Sequence, residues 1–197
     1  MLFYAKTPAY TLWLTRQGLQ FDGARMTFRD ARPDAALEAA DPADYIVSYF
    51  DGRDESDWHT GIPTSKAVHY KGLYEGIDLK VYGTEKAVEY DWIVAPGADP
   101  GRIQFGYEGE SSARLDPDGD ILVETADGAL KHRAPDAYQV IDGAKVKVAS
   151  SFRPDGNGAF GFALGPYDKG RELVIDPLVL VFSTYLGGTT NDLASDI

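Results

Sequence analysis

The residues best suited to chemistry in this chain are carboxylates. Asp116, Asp118 and Asp120 alternate through a Pro-Asp-Gly turn, with Glu124 just beyond. Closely spaced oxygen ligands of this kind are what Ca²⁺ takes. The spacing is not that of the twelve-residue EF-hand loop, because Gly119 comes too early. A plain β-turn accounts for the same residues, since Asp and Gly supply turn geometry. A second pair, Glu89 and Asp91, stands two residues apart in a β pattern, so both side chains leave one face of a strand. Paired carboxylates carry out acid–base work in glycoside hydrolysis. On the polar side of a strand they also form an ordinary solvated face.

Trp58, Tyr70, Tyr74 and Tyr82 fall within one short segment. Exposed, such rings stack on sugars; otherwise they fill a core or cover a sheet edge. His59, His69 and His132 are scattered and form no metal or nucleophile motif. With no cysteine, disulfides, thiolate zinc sites and cysteine nucleophiles are excluded. Neither Gly-x-Ser-x-Gly, His-Glu-x-x-His nor a phosphate-binding glycine loop is present. The expectation is a protein without catalytic residues or a resident cofactor, with calcium the one metal to consider.

The elements that must position these groups read as strands. Leu12 and Leu14 alternate with Thr11, Trp13 and Thr15, and Met26 and Phe28 alternate with Arg25 and Thr27. The clearest run is Ala87 to Ala95, where Val88, Tyr90, Trp92 and Val94 share one side, predicted to face the core. Glu89 and Asp91 share the other, predicted to face water. Val146, Val148, Ser150 and Phe152 continue the period, as do Phe160, Phe162 and Leu164. Asp127-Gly128 signals a hairpin. Residues 31–44 are rich in alanine and predict a short helix or a loop, with Pro33 and Pro42 limiting any helix to about two turns. Leu178 to Phe182 is apolar on both faces, which predicts a central buried strand. Turn signals recur every 8–12 residues or so, the pattern of an all-β antiparallel sandwich or barrel-like fold with at most one or two short helices.

A chain of 197 residues with 44% hydrophobic content has enough material for a substantial core. Its 31 acidic residues outnumber 19 basic ones, for a net charge of -12. That field repels phosphate backbones and anionic lipid, so neither nucleic acid nor membrane insertion is expected. No stretch reaches the roughly 18 apolar residues of a membrane span. Met1-Leu-Phe-Tyr-Ala-Lys6 does not read as a signal peptide.

Three segments carry a family likeness. They are Trp58-His-Thr-Gly-Ile-Pro63 with Val68-His-Tyr-Lys-Gly-Leu-Tyr-Glu-Gly-Ile-Asp-Leu79; Glu89-Tyr-Asp-Trp-Ile-Val-Ala-Pro-Gly-Ala-Asp-Pro100; and Leu173-Val-Ile-Asp-Pro177 running into Ser183-Thr-Tyr-Leu-Gly-Gly188 and Asn191-Asp192. Together they resemble the uncharacterised N-terminal domain that precedes SBBP-type β-propeller repeats in bacterial secreted or surface proteins. The resemblance implies a domain over residues 1–182 and the start of an incomplete repeat over 183–197, loosely held from about Gly187. It brings no catalytic residues. It implies a secreted or cell-surface setting and a non-enzymatic structural or adhesive role, capping the downstream repeats and presenting a surface to a glycan or surface protein. A carbohydrate-binding module, or an accessory domain of a polysaccharide-acting enzyme, is the alternative; an enzyme using Glu89 and Asp91 is the third.

Overall fold

The computed structural model describes residues 3–6, 11–21, 23–50, 52, 54–83, 88–108, 112–125, 128–177 and 179–182. Eighteen strands account for most of them. In chain order these begin β1 (Phe3–Lys6), β2 (Thr11–Thr15), β3 (Gly18–Phe21), β4 (Ala24–Phe28), β5 (Ala36–Tyr49) and β6 (His59–Tyr74). Then come β7 (Ile77–Gly83), β8 (Val88–Val94), β9 (Phe105–Glu108), β10 (Ser112–Leu115), β11 (Ile121–Thr125) and β12 (Gly128–His132). The last are β13 (Asp136–Ile141), β14 (Ala144–Val148), β15 (Ser150–Pro154), β16 (Ala159–Leu164), β17 (Leu173–Asp176) and β18 (Val179–Phe182). The helical pieces among the described residues are two three-residue 3-10 turns, Glu55–Asp57 and Pro100–Arg102.

Three sheets result. The first runs β1-β2-β3-β4-β9-β16-β15, the second β14-β13-β17-β8-β7-β6-β5, and the third β10-β11-β12-β18. Every described pairing is antiparallel. Among the described residues each sheet keeps two unpaired edges, so the layout is sandwich-like and no barrel closes.

Alternation decides which side chains meet. Leu12, Leu14, Leu19, Phe21 and Met26 leave the first sheet on its inner face, while Leu79, Val81, Val88, Tyr90 and Trp92 leave the second toward them. The Trp92 ring touches Phe28 of β4, Phe105 of β9 and Phe162 of β16, all on the opposite sheet. One tryptophan thus knits the two layers. Ile121, Val123 and Leu130 bring the third sheet into the same core. At the β3–β4 hairpin a side chain on Gly18 would sit 1.9 Å from the Met26 carbonyl oxygen, so only glycine allows these backbones their approach.

Four features differ from expectation or refine it. The alanine-rich stretch is no helix: from Ala36 it forms the start of β5, because pairing with β6 (Leu37 opposite Tyr70, Ala39 opposite Val68) overrides its local helix preference. Val146 and Val148 belong to β14 of the second sheet, whereas Ser150 and Phe152 belong to β15 of the first; one apparent run of alternation is two strands meeting at a corner. Among the described residues β18 pairs with β12 alone, at the edge of the third sheet and not in its middle. The predicted hairpin at Asp127-Gly128 is present, with Thr125 opposite Gly128. Residues 183–197, and with them the expected loosening after Gly187, lie outside the described residues.

The hairpin of β5 and β6 is much longer than its neighbours. From Val68 onward β6 buries Val68, Tyr70, Leu73 and Tyr74. From Asp41 to Phe50 and from Trp58 to Lys66, no described residue is buried. This distal half is a two-stranded arm, about 25 Å long at roughly 3.3 Å per residue.

Candidate functional site

The outer face of the second sheet gathers the ionisable side chains that alternation turns away from the core. Register aligns them in a row. Asp136 stands opposite Asp176, Asp91 opposite Lys80, Lys80 opposite His69, and His69 opposite Glu38. Because Ile175 pairs with Trp92, the next step along both strands sets Asp176 beside Asp91. Glu89 lies opposite Tyr82, whose hydroxyl donates to Asp91 Oδ1 at 3.2 Å.

Partial burial pushes Asp176 up to about 6, helped by the negative charge of Asp91 and Glu89 and opposed by Lys145. Burial also raises Asp91, while the Tyr82 hydroxyl and Lys80 pull it back. The Tyr82 phenol is raised by burial and by the surrounding carboxylates. Two neighbouring carboxyl groups with separated proton affinities are the raw material of acid–base chemistry. What a hydrolase also needs is a wall to hold substrate. One shallow cleft is lined by Tyr4, Leu12, Leu14, Val68, Val81, Tyr82 and Val88 among others; Glu89, Asp91 and Asp176 do not line it, although Tyr82 donates to Asp91. Glu89 and Asp91 therefore face outward as the alternation predicts, both half-buried. Asp176 escaped the sequence reading. Its parity with Val174, outward between inward Leu173 and Ile175, was visible; its adjacency to β8 was not.

The Asp-rich turn holds itself together. Asp116 Oδ1 accepts from the backbone N–H of Asp118 at 2.9 Å and of Asp120 at 3.0 Å. Lys131 Nζ lies 3.0 Å from Asp116 Oδ2 and 2.9 Å from Asp120 Oδ2. Asp120 Oδ1 accepts from the Ala134 N–H at 2.7 Å. All four oxygens of Asp116 and Asp120 thus have protein partners, Asp118 is exposed, and Glu124 pairs with Arg114. Lys131 holds the Asp116 carboxyl below its ordinary range. Among the described residues no group of three His, Cys, Asp or Glu side chains is placed to hold a metal ion.

The four aromatics singled out for sugar stacking are dispersed. Tyr70 (0% exposed) packs edge-on against Phe28, and Tyr74 (3%) tilts against Trp92. Both fill the core. Tyr82 belongs to the carboxylate face, and Trp58 alone reaches the surface of the arm, edge-on to Phe50 with ring centres 5.2 Å apart. The arm carries a different apolar set: Tyr45, Ile46, Tyr49, Phe50, Trp58 and Ile62, six of the nine exposed large hydrophobics among the described residues. Tyr49, opposite His59 near the arm's tip, meets Tyr4 of β1 with ring centres 6.4 Å apart. The β-rich run Tyr45 to Phe50 was legible in the sequence, but its place in an unburied half of the β5–β6 hairpin was not.

A model of one family spans residues 1–178. The chain belongs to DUF7948, a domain of unknown function. No curated protein and no solved structure matches it.

One further polar group of this DUF7948 domain is fully enclosed. His132, at the end of β12, is 0% exposed and lies between two phenols. Tyr90 Oη is 2.9 Å from its Nδ1 and Tyr107 Oη 2.6 Å from its Nε2. These three residues come from β12, β8 and β9, one from each sheet. Burial pushes the imidazole down to about 3, so the ring is neutral, with one nitrogen donating to a phenol oxygen and the other accepting a phenol proton. The enclosure makes it a structural junction, closed to substrate.

Proposed function

We propose that this domain is a non-enzymatic structural and adhesive module at the head of an exported bacterial repeat protein. It caps the propeller repeats that follow and presents the β5–β6 arm as a binding surface. The observation that carries the reading is the arm itself: six exposed apolar side chains lie from Tyr45 to Ile62, on a hairpin whose distal half has no buried residue among those described. Exposed apolar patches gathered in one place mark interaction sites. The likeness of Ser183 to Gly188 and Asn191-Asp192 to the opening of an SBBP-type repeat supports the setting.

The experiment compares cells carrying the full-length protein with cells carrying the same protein without residues 1–178. Expected is surface exposure of both forms to added protease, with attachment lost only in the shortened one. Retention of the full-length protein inside the cell, or undiminished attachment by the shortened form, overturns the reading.

A second reading, a carbohydrate-binding module, draws on the Phe50–Trp58 pair, since paired exposed rings stack on sugars. Quenching of Trp58 fluorescence by a panel of polysaccharides, lost on Trp58→Ala, distinguishes it.

A further inference from the structure

The arm exposes apolar side chains on a hairpin only two strands wide. Val47 pairs with Ile62 and Ile46 with Pro63, so successive pairs point to opposite faces, and Ile46 and Ile62 are both exposed. An isolated two-stranded hairpin is marginal in water. Among the described residues this one leaves Ile46 exposed on one face and Ile62 on the other, although Tyr49 near its tip meets Tyr4 of β1.

The charges say what kind of partner fits it. Between Asp41 and Lys66 the chain places Asp41, Asp44, Asp51, Asp54, Glu55 and Asp57 against only Arg53 and Lys66. Lys80 satisfies Asp41 at 2.7 Å, and Asp54 caps the turn by accepting from the Ser56 N–H. Asp44, Glu55 and Asp57 make no ion pair with another described residue. A second copy of this chain is the wrong occupant: a two-fold contact sets the same patch against itself, acid against acid, between molecules of charge -12. Strand addition to the free edge of β5 is also opposed. Pro42 offers no N–H, Asp41 has φ 52°, and the β5–β6 register breaks between Pro42 and Ile46 and again between Val47 and Tyr49.

Resting on the reading of the domain as a binding module, we propose that the arm docks through its side chains onto a cationic, partly apolar segment of another polypeptide. Tyr45, Ile46, Phe50 and Trp58 supply the apolar contact, and Asp44, Glu55 and Asp57 draw in lysine or arginine side chains.

The test titrates the whole 197-residue chain with a fluorescent twelve-residue peptide of alternating lysine and leucine, and with its glutamate–leucine counterpart. Three variants accompany it: Tyr45→Ser with Ile46→Ser and Phe50→Ser; Asp44→Asn with Glu55→Gln and Asp57→Asn; and, on the body, Asp118→Asn with Asp142→Asn and Glu172→Gln. All remove exposed side chains, and an unchanged melting temperature verifies each fold. Expected is binding of the lysine peptide only, at least tenfold weaker for both arm variants and changed less than twofold for the body variant. Equal weakening by the arm-charge and body-charge variants overturns the proposal, since the attraction is then that of any acidic protein. So does failure of the lysine peptide to bind, or sedimentation showing a dimer that the serine variant dissolves. In those outcomes an attachment defect on deleting residues 1–178 leaves the module reading standing and the cationic partner wrong.

Discussion

Tyr107 Oη stands 2.6 Å from His132 Nε2, across the boundary between the first and third sheets, and Tyr90 of the second sheet completes the group from the other side of the ring. A neutral imidazole has one donor and one acceptor, and each phenol uses one of them. The group thus ties one residue of each sheet together inside the core.

His132→Phe is expected to lower stability at pH 7.5 by about 2–4 kcal/mol, because two buried phenols lose their partner. The pH dependence has a definite sign. His132 is depressed to about 3 in the fold against 6.5 in the unfolded chain, so the unfolded chain binds a proton that the fold refuses. Its contribution is fully present above pH 6.5 and is lost as pH falls from there toward 3. Urea unfolding of both proteins from pH 7.5 to 4 is therefore expected to show the deficit of the variant shrinking in acid. A constant deficit contradicts a neutral His132.

Asp176 titrates with the opposite sign. Its folded value of about 6 is raised above the usual 3.8, so the fold takes up the proton first and stability falls as pH rises through about 6. Asp176→Asn removes the repulsion from Asp91 and Glu89. It is expected to stabilise by about 1 kcal/mol at pH 7.5, after discounting for solvent screening, and to have little effect at pH 4. Destabilisation at pH 7.5 in the same denaturant series refutes it.

Trp92 is 0% exposed and meets rings on both layers, yet its Nε1 has no hydrogen-bond partner among the described residues. Trp92→Ala is expected to cost about 3–5 kcal/mol through the cavity it leaves. Trp92→Phe keeps a ring and deletes the orphaned donor, so it should cost well under half as much. Glu89→Gln, on the outer face, should shift stability by less than about 0.5 kcal/mol. Thermal unfolding of the three proteins decides the ranking.

Lys131→Met leaves the Asp116 and Asp120 carboxylates facing each other without their shared cation. A lower melting temperature is expected, together with a new response to millimolar CaCl₂: none in the parent, a rise in the variant. Calcium stabilising the parent shows that an ion displaces Lys131, and that the turn is a metal loop after all.

The inward and outward parity of nearly every strand could be read from the residues alone. Val88, Tyr90, Trp92 and Val94 are buried and Glu89 and Asp91 are not, as their alternation demands, because side-chain direction in a strand is a local property of the backbone. The turns were legible for the same reason, since Asp116-Pro-Asp-Gly-Asp120 encodes its own geometry. Partnership between distant strands was not. Which strand lies beside β8 depends on how whole apolar faces bury one another, and period 2 is the same for every candidate neighbour. Hence the adjacency of Asp176 to Asp91 appears only in the folded sheet. The enclosure of His132 by Tyr90 and Tyr107 follows from the same cause, as its neighbours come from β8 and β9, neither beside β12 in a sheet. The alanine-rich stretch marks the limit. Residues 36–40 are good helix formers, and backbone pairing along the edge of β6 beside them decided instead that they extend as a strand and begin the arm.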